Sequence, residues 1–222
     1  TGIPLLEGYG LTEASPAVTC NMLGEKYRLG TTGVPLPSTK VKIVDDQGQT
    51  VTTDTPGNLL IQGPQVMKMY WQQPEETAHV FTDGWLQTGD IAKIDDDGFV
   101  TILDRKKEVI NVSGFKVYPN EVERVINEHP DVLEVGAIGV LDSNKREKVK
   151  VYVVRKSTTL TKAVLIAHCK KKLTGYKIPQ YVAFRDSLPK SNVGKILRRR
   201  RREASMSASP NTWDHEGLQA TK

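Results

Sequence analysis

Residues 89–115 read GDIAKIDDDGFVTILDRKKEVINVSGF. Two acid-and-base clusters, Gly89-Asp90 and Asp104-Arg105-Lys106-Lys107, flank one strand-like stretch, and Val112-Ser113-Gly114-Phe115 follows at once. A carboxylate can grip a ribose diol. A guanidinium just past a strand can grip the same ribose or its phosphate. A Ser-Gly pair lets a main chain approach a ligand closely. This layout suits a nucleotide site at the junction of two lobes. Taken alone, Asp90 and Arg105 equally suit a structural salt bridge across a hairpin.

Working outward, charge divides the chain at the same place. Residues 1–103 hold 6 basic and 13 acidic side chains, a net of −7, and residues 104–222 hold 25 and 13, a net of +12. The change of sign predicts a domain boundary at Asp104–Lys107. A basic second lobe suits a polyphosphate ligand, and equally a solvated surface. A hydrophobic content of 38% and a charged content of 26% over 222 residues fit a globular protein with a real core. No apolar run approaches the roughly 18–20 residues of a membrane-crossing helix, and no secretory signal pattern opens the sequence. Cys20 and Cys169 have no metal-ligand spacing and read as reduced thiols of a cytosolic protein.

Residues 30–103 read as β-rich. Val41 and Ile43 alternate with Lys40 and Lys42 before the turn Asp45-Asp46-Gln47-Gly48. Residues 58–62, 84–86, 91–94 and 99–103 are further strand candidates, with Asp95-Asp96-Asp97-Gly98 as a hairpin turn. Several short strands suggest a small barrel or a curled sheet. Beyond them the period changes. Pro119 opens a helix to about residue 128 with Val122, Val125 and Ile126 on one face. Residues 132–140 and 149–154 read as strands, and 160–173 as a helix capped by Thr161 and ended by Gly175. Residues 181–184 complete a β-α-β-β-α-β-like order, and the polar stretch after Arg202 is expected to be disordered.

Single motifs are weak by themselves. Gly8-Tyr9-Gly10-Leu11-Thr12-Glu13 could stack a base on Tyr9, bond a phosphate through Thr12 and hold Mg²⁺ through Glu13. Read alone, it is more simply a strand-to-loop turn with an exposed Glu. Lys195, after Gly194 in a polar loop, offers a mobile ammonium, but the surrounding residues are not a Walker loop. Arg198–Arg202 reads as a solvated end, with no interleaved aromatics to read bases. His79, His129, His168 and His215 form no triad or ligand spacing.

Together the motifs are specific. Residues 8–13, 84–90, 104–107 with 112–119, and 189–195 occur in this order and spacing in the adenylate-forming (AMP-binding) superfamily. From residue 1 to about 199 the chain resembles the C-terminal part of bacterial long-chain fatty-acid–CoA ligases, most closely at 63–67, 173–177 and 189–197. Asn58 and Gln62 depart from the Glu and Arg usual there, and Val193 from Thr or Ser.

The resemblance implies a mixed α/β fold. Residues 1–103 would end the AMP-binding domain with a β-barrel-like subdomain, 104–107 would be a hinge turning at Lys107, and 108–202 a mobile α+β domain, followed by a disordered tail over 203–222. It implies ATP-dependent activation of a fatty acid to acyl-AMP and transfer to CoA, with Mg²⁺. Tyr9 and Gly10 would meet adenine, Thr12 phosphate, and Glu13 the Mg²⁺. Asp90 and Arg105 would hold ribose. Lys195 would bridge carboxylate and α-phosphate oxygens, and Ser113 and Gly114 would line the pantetheine path, where a side chain on Gly114 would block the approach. Fatty acid and CoA would be the partners, with a peripheral membrane contact and no nucleic acid, in the cytoplasm. The family's phosphate loop and most of its acyl tunnel lie upstream of Gly8, so residues 1–222 by themselves are expected to be inactive and to need the N-terminal portion of the same enzyme. Two other readings stay open: a relative that loads a carrier protein, and a nucleotide- or CoA-binding fragment without turnover.

Overall fold

In a computed structural model, residues 3, 5–24 and 27–190 are described. Lys195, Arg198–Arg202 and residues 203–222 lie outside them. The chain divides into two compact units, Thr1–Lys107 and Glu108–Lys222.

The first unit is sheet-rich. Strands β1 (Gly8–Gly10), β2 (Ala17–Cys20) and β3 (Val34–Pro35) form one antiparallel sheet in that order. A second sheet holds β4 (Lys40–Val44), β5 (Gly57–Gln62), β6 (Phe81–Thr82), β7 (Trp85–Ile94) and β8 (Val100–Arg105), all antiparallel. A short helix, α1 (Pro74–Val80), precedes β6. The order is β4-β5-β7-β6, with β8 also pairing β7. The early part of β7 pairs β6 and its later part pairs β8, while β5 lies along β7 on the other side. Residues 84–86 and 91–94, expected as separate strands, therefore fall in one 10-residue strand, except Gly84 in the turn before it. The break in apolar pattern at Thr88-Gly89-Asp90 marks the approach to an irregularity in register at Ile91/Ala92, not a turn. The expected barrel is also corrected: among the described residues the strands form open sheets, not a closed ring of pairings.

The expected turn at Asp95–Gly98 forms for a local reason. The Asp95 carboxylate accepts the main-chain N–H groups of Asp97 (3.1 Å) and Phe99 (2.9 Å), and the Gly98 N–H donates to the Asp95 carbonyl (3.0 Å). Arg28 pairs with Asp95, reaches Asp97 at 2.7 Å and lies over the Phe99 ring, 4.2 Å from its centroid. The core of this unit gathers Val18, Ile43, Leu59, Ile61, Leu86, Ala92 and Val100, with Tyr9 packed at its side. Asn58 occupies its unusual place by donating to the carbonyls of Val44 (3.3 Å) and Asp45 (3.1 Å), and Gln62 donates to that of Gly84 (3.2 Å).

The second unit begins with the hairpin β9 (Ile110–Val112) and β10 (Phe115–Val117). Then come α2 (Pro119–Asn127), β11 (Val132–Leu141), β12 (Glu147–Arg155), α3 (Lys162–Lys170) and β13 (Tyr181–Phe184). β11 and β12 are antiparallel, and β13 joins β12 in parallel, which α3 makes possible as the crossover. Pro119 stands in the first turn of α2, and Val122, Val125 and Ile126 are buried against the sheet. Thr161 caps α3 by accepting the Val164 N–H (3.3 Å). The helix expected over 160–173 is shorter at both ends. Gly175 does not end it but opens a 3₁₀ turn, Gly175–Lys177. Among the described residues no helix is long and apolar enough to cross a membrane.

Candidate nucleotide site

The β7–β8 hairpin places Asp90 directly opposite Arg105. The Arg105 Nε donates to Asp90 Oδ1 at 2.8 Å, and the Tyr9 hydroxyl donates to Oδ2 at 2.5 Å. The Asp90 side chain is 6% exposed and that of Arg105 57%. One end of the cluster thus sits in the fold and the other faces water. The Asp90 N–H donates to Thr88 Oγ1 (3.1 Å), whose hydroxyl donates to the Leu59 carbonyl (2.9 Å), so the carboxylate is anchored from β5 as well. Burial, then the hydrogen bond to Asp90 and its negative charge, push the Tyr9 phenol well above the usual tyrosine range, with Arg105 opposing. Tyr9 therefore stays a donor. Asp104 is buried at 2% exposure, and its Oδ1 accepts the Arg105 N–H (2.9 Å).

Thr12 and Glu13 lie in a 3₁₀ turn, Thr12–Ala14, just after β1. Buried Ala14 pins the turn to the core while Thr12 stays exposed. The Glu13 carbonyl accepts the Met67 N–H (2.7 Å) and its Oε1 accepts the Tyr70 hydroxyl (2.8 Å). Gly10 lies tightly against Pro16. A Cβ there would stand 2.0 Å from the Pro16 carbonyl oxygen. Among the described residues no group of three or more His, Cys, Asp or Glu side chains could hold a metal. A single carboxylate still fits Mg²⁺, which takes one or two protein carboxylates and completes its shell with phosphates and water.

In the second unit, Ser113 and Gly114 form the β9–β10 turn with φ of 53° and 91°. The Gly114 N–H donates to Asn111 Oδ1 (2.8 Å), and a Cβ on Gly114 would meet nothing within 4 Å. Beside it Phe115 stacks on Tyr176, centroids 4.6 Å apart and rings 17° from parallel. Lys177 pairs with Glu121 at 2.8 Å. Lys107 ends the first unit.

Tyr9, Asp90 and Arg105 are thus brought together, and Thr12 and Glu13 follow Tyr9 by one turn. Sequence reasoning missed Tyr70. Its signal was present as an isolated tyrosine before Gln72-Gln73-Pro74-Glu75, but nothing local ties it to a carboxylate 57 residues earlier. The Phe115–Tyr176 stack was missed for the same reason.

Comparison with known proteins agrees at both ends of the chain. The AMP-binding enzyme family matches residues 1–71, and the AMP-binding enzyme C-terminal domain matches 121–195. A long-chain-fatty-acid–CoA ligase of Escherichia coli O157:H7 is 52% identical over 211 residues, 95% of this chain and 38% of the relative. That of Yersinia pestis is 56% identical over 203 residues, 91% of this chain and 36% of the relative. The chain therefore spans less than two fifths of the length of these relatives. ATP-bound MatB from Rhodopseudomonas palustris superposes with a TM-score of 0.86 at 36% identity, covering 92% of this chain and 41% of that one. The o-succinylbenzoate CoA synthetase of Bacillus subtilis, in complex with ATP and magnesium, gives 0.82 at 33% identity, over 92% and 42%. Both domain families are matched in order, and the chain is similar to AMP-binding enzymes over residues 1–71 and 121–195.

Proposed function

We propose that the protein activates a long-chain fatty acid with ATP and passes the acyl group to CoA. The observation that carries this reading is the Tyr9–Asp90–Arg105 cluster, a buried carboxylate with a guanidinium and a phenol on its two oxygens. It occurs in a chain 52% identical to the E. coli ligase.

Asp90 and Arg105 bind the ribose hydroxyls, and the Tyr9 ring lies against adenine. Gly10 keeps the main chain close, and Thr12 bonds a phosphate oxygen. In the first half-reaction a fatty-acid carboxylate oxygen attacks the α-phosphorus. The bond to pyrophosphate breaks, leaving acyl-AMP. Lys195 steadies the charge that develops on the phosphate oxygens. When bound at Glu13, Mg²⁺ would offset phosphate charge. In the second half-reaction the CoA thiolate attacks the acyl carbonyl and AMP leaves. Ser113 and Gly114 line the pantetheine path, and Lys107 is the hinge about which the second unit moves between steps. The unit boundary between Lys107 and Glu108 supports that hinge. The protein would work in the cytoplasm and meet its fatty acid at a membrane surface, consistent with the net +12 of residues 104–222.

The test is ATP–pyrophosphate exchange by the intact protein with palmitate, followed by acyl-CoA formation on adding CoA. Exchange without any thioester on CoA, but with acyl transfer to a carrier protein, would move it to a different branch. Nucleotide binding with no exchange would remove the catalytic reading.

A further inference from the structure

Glu13 is held at both ends by one short segment. Its carbonyl accepts the Met67 N–H at 2.7 Å, and its Oε1 accepts the Tyr70 hydroxyl at 2.8 Å. Tyr70 is itself fixed. Its N–H donates to Thr77 Oγ1 (3.0 Å), the Thr77 hydroxyl donates to the Gln73 carbonyl (2.7 Å), and the Gln73 N–H donates back to the Tyr70 carbonyl (3.2 Å). Thr77 belongs to α1, a helix without a single buried residue. Its contact with the core is confined to half-buried Val80 at its last residue. The Thr77 side chain ties the helix to the loop that carries Tyr70.

We propose that Tyr70 is a positioning residue that sets the Glu13 carboxylate for a divalent cation accompanying the nucleotide phosphates. Tyr70 occupies Oε1, and no described residue donates to Oε2. The type of donor matters. A Lys or Arg in this place would cancel the charge that a hard cation needs, whereas a neutral phenol orients the carboxylate and leaves it anionic. A Glu side chain already held in one rotamer loses less freedom when the cation arrives. This inference rests on the nucleotide reading of residues 8–13.

The test is Tyr70→Phe in the intact protein, which keeps the ring and removes the donor. Mn²⁺ binding in the presence of ATP, followed by electron paramagnetic resonance, should weaken about tenfold, the scale of one hydrogen bond to a charged group. The Mg²⁺ dependence of pyrophosphate exchange should shift by the same factor, while AMP binding without metal stays as it was. Thr77→Val should shift the metal dependence in the same direction, and Thr77→Ser should restore it. Unchanged metal dependence in Tyr70→Phe overturns the proposal. So does an equal weakening of metal-free AMP binding, which would make Tyr70 a general packing residue. If the unaltered protein shows no metal-dependent ATP binding at all, the nucleotide reading falls with it.

Discussion

The Tyr9 hydroxyl donates to Asp90 Oδ2 at 2.5 Å, across 81 residues of chain, while Arg105 takes the other oxygen. Both acceptor atoms of a nearly buried carboxylate are thus engaged before any ligand is considered. The same pairing ties β1 to the β7–β8 hairpin.

Tyr9→Phe removes the buried donor and keeps the ring. One Asp90 oxygen then loses its partner, at a cost of about 1–3 kcal/mol. Scanning calorimetry should show that loss. Asp90→Asn still accepts from Tyr9 but offers Arg105 no charge, so AMP affinity should fall by about tenfold or more. Calorimetric titration with AMP checks the order. A larger loss of AMP affinity in Tyr9→Phe than in Asp90→Asn would contradict the ribose assignment.

The raised Tyr9 pKa also sets an alkaline limit. The unfolded chain releases its phenol proton near the ordinary value of 10, and the folded chain releases it only higher. Below that pH both states hold the proton and the stabilisation is complete. As pH rises above it, the unfolded state binds fewer protons and stability falls. Denaturation midpoints measured upward from neutral pH should therefore decline in the alkaline range. The decline should be shallower in Tyr9→Phe. Tyr70 shifts in the same direction and leaves a residual slope.

Two site glycines should respond differently to a methyl group. At Gly10 the new Cβ would stand 2.0 Å from the Pro16 carbonyl oxygen, so main chain must move. Gly10→Ala should cost about 3 kcal/mol or more. At Gly114 no atom lies within 4 Å, and only the φ of 91° is unfavourable. Gly114→Ala should cost about 1–2 kcal/mol. If Gly114 borders the pantetheine path, the same variant should slow thioester formation from supplied acyl-AMP more than it lowers the thermal midpoint. Unchanged thioester formation would detach Gly114 from CoA.

Cys169 lies at 0% exposure in α3, and burial pushes its thiol up to about 11. Iodoacetamide should leave it unmodified in the folded protein at mildly alkaline pH and alkylate it on unfolding. Mass spectrometry of the peptide that carries Cys169 reads the outcome. Fast native-state alkylation would mean that α3 does not pack on the sheet.

The parts legible in the sequence were those with local causes. The alternation of Lys40 to Ile43 makes β4 because lysines can point outward while Val41 and Ile43 go inward. Asp95 writes its own turn by accepting two nearby N–H groups. Pro119 and Thr161 start their helices through first-turn chemistry that needs no distant partner. The same reasoning failed where a distant strand decided the outcome. β7 reads as two pieces in the sequence, yet β5 pairs with both pieces, across a shift of register at residues 88–90, and the two run on as one strand. α1 was not foreseen because only Val80, at its end, reaches the core, so the helix shows no apolar period.

For the candidate site the division is the same. The sequence alone determined the residue types, their order and the change of charge at Asp104–Lys107, because motif spacing and composition are properties of the covalent chain. Only the tertiary structure decided that Tyr9 meets Asp90, that Tyr70 meets Glu13 and that Phe115 lies on Tyr176. Those contacts join residues 81, 57 and 61 positions apart, and such distances close only when sheet order and packing bring the elements side by side.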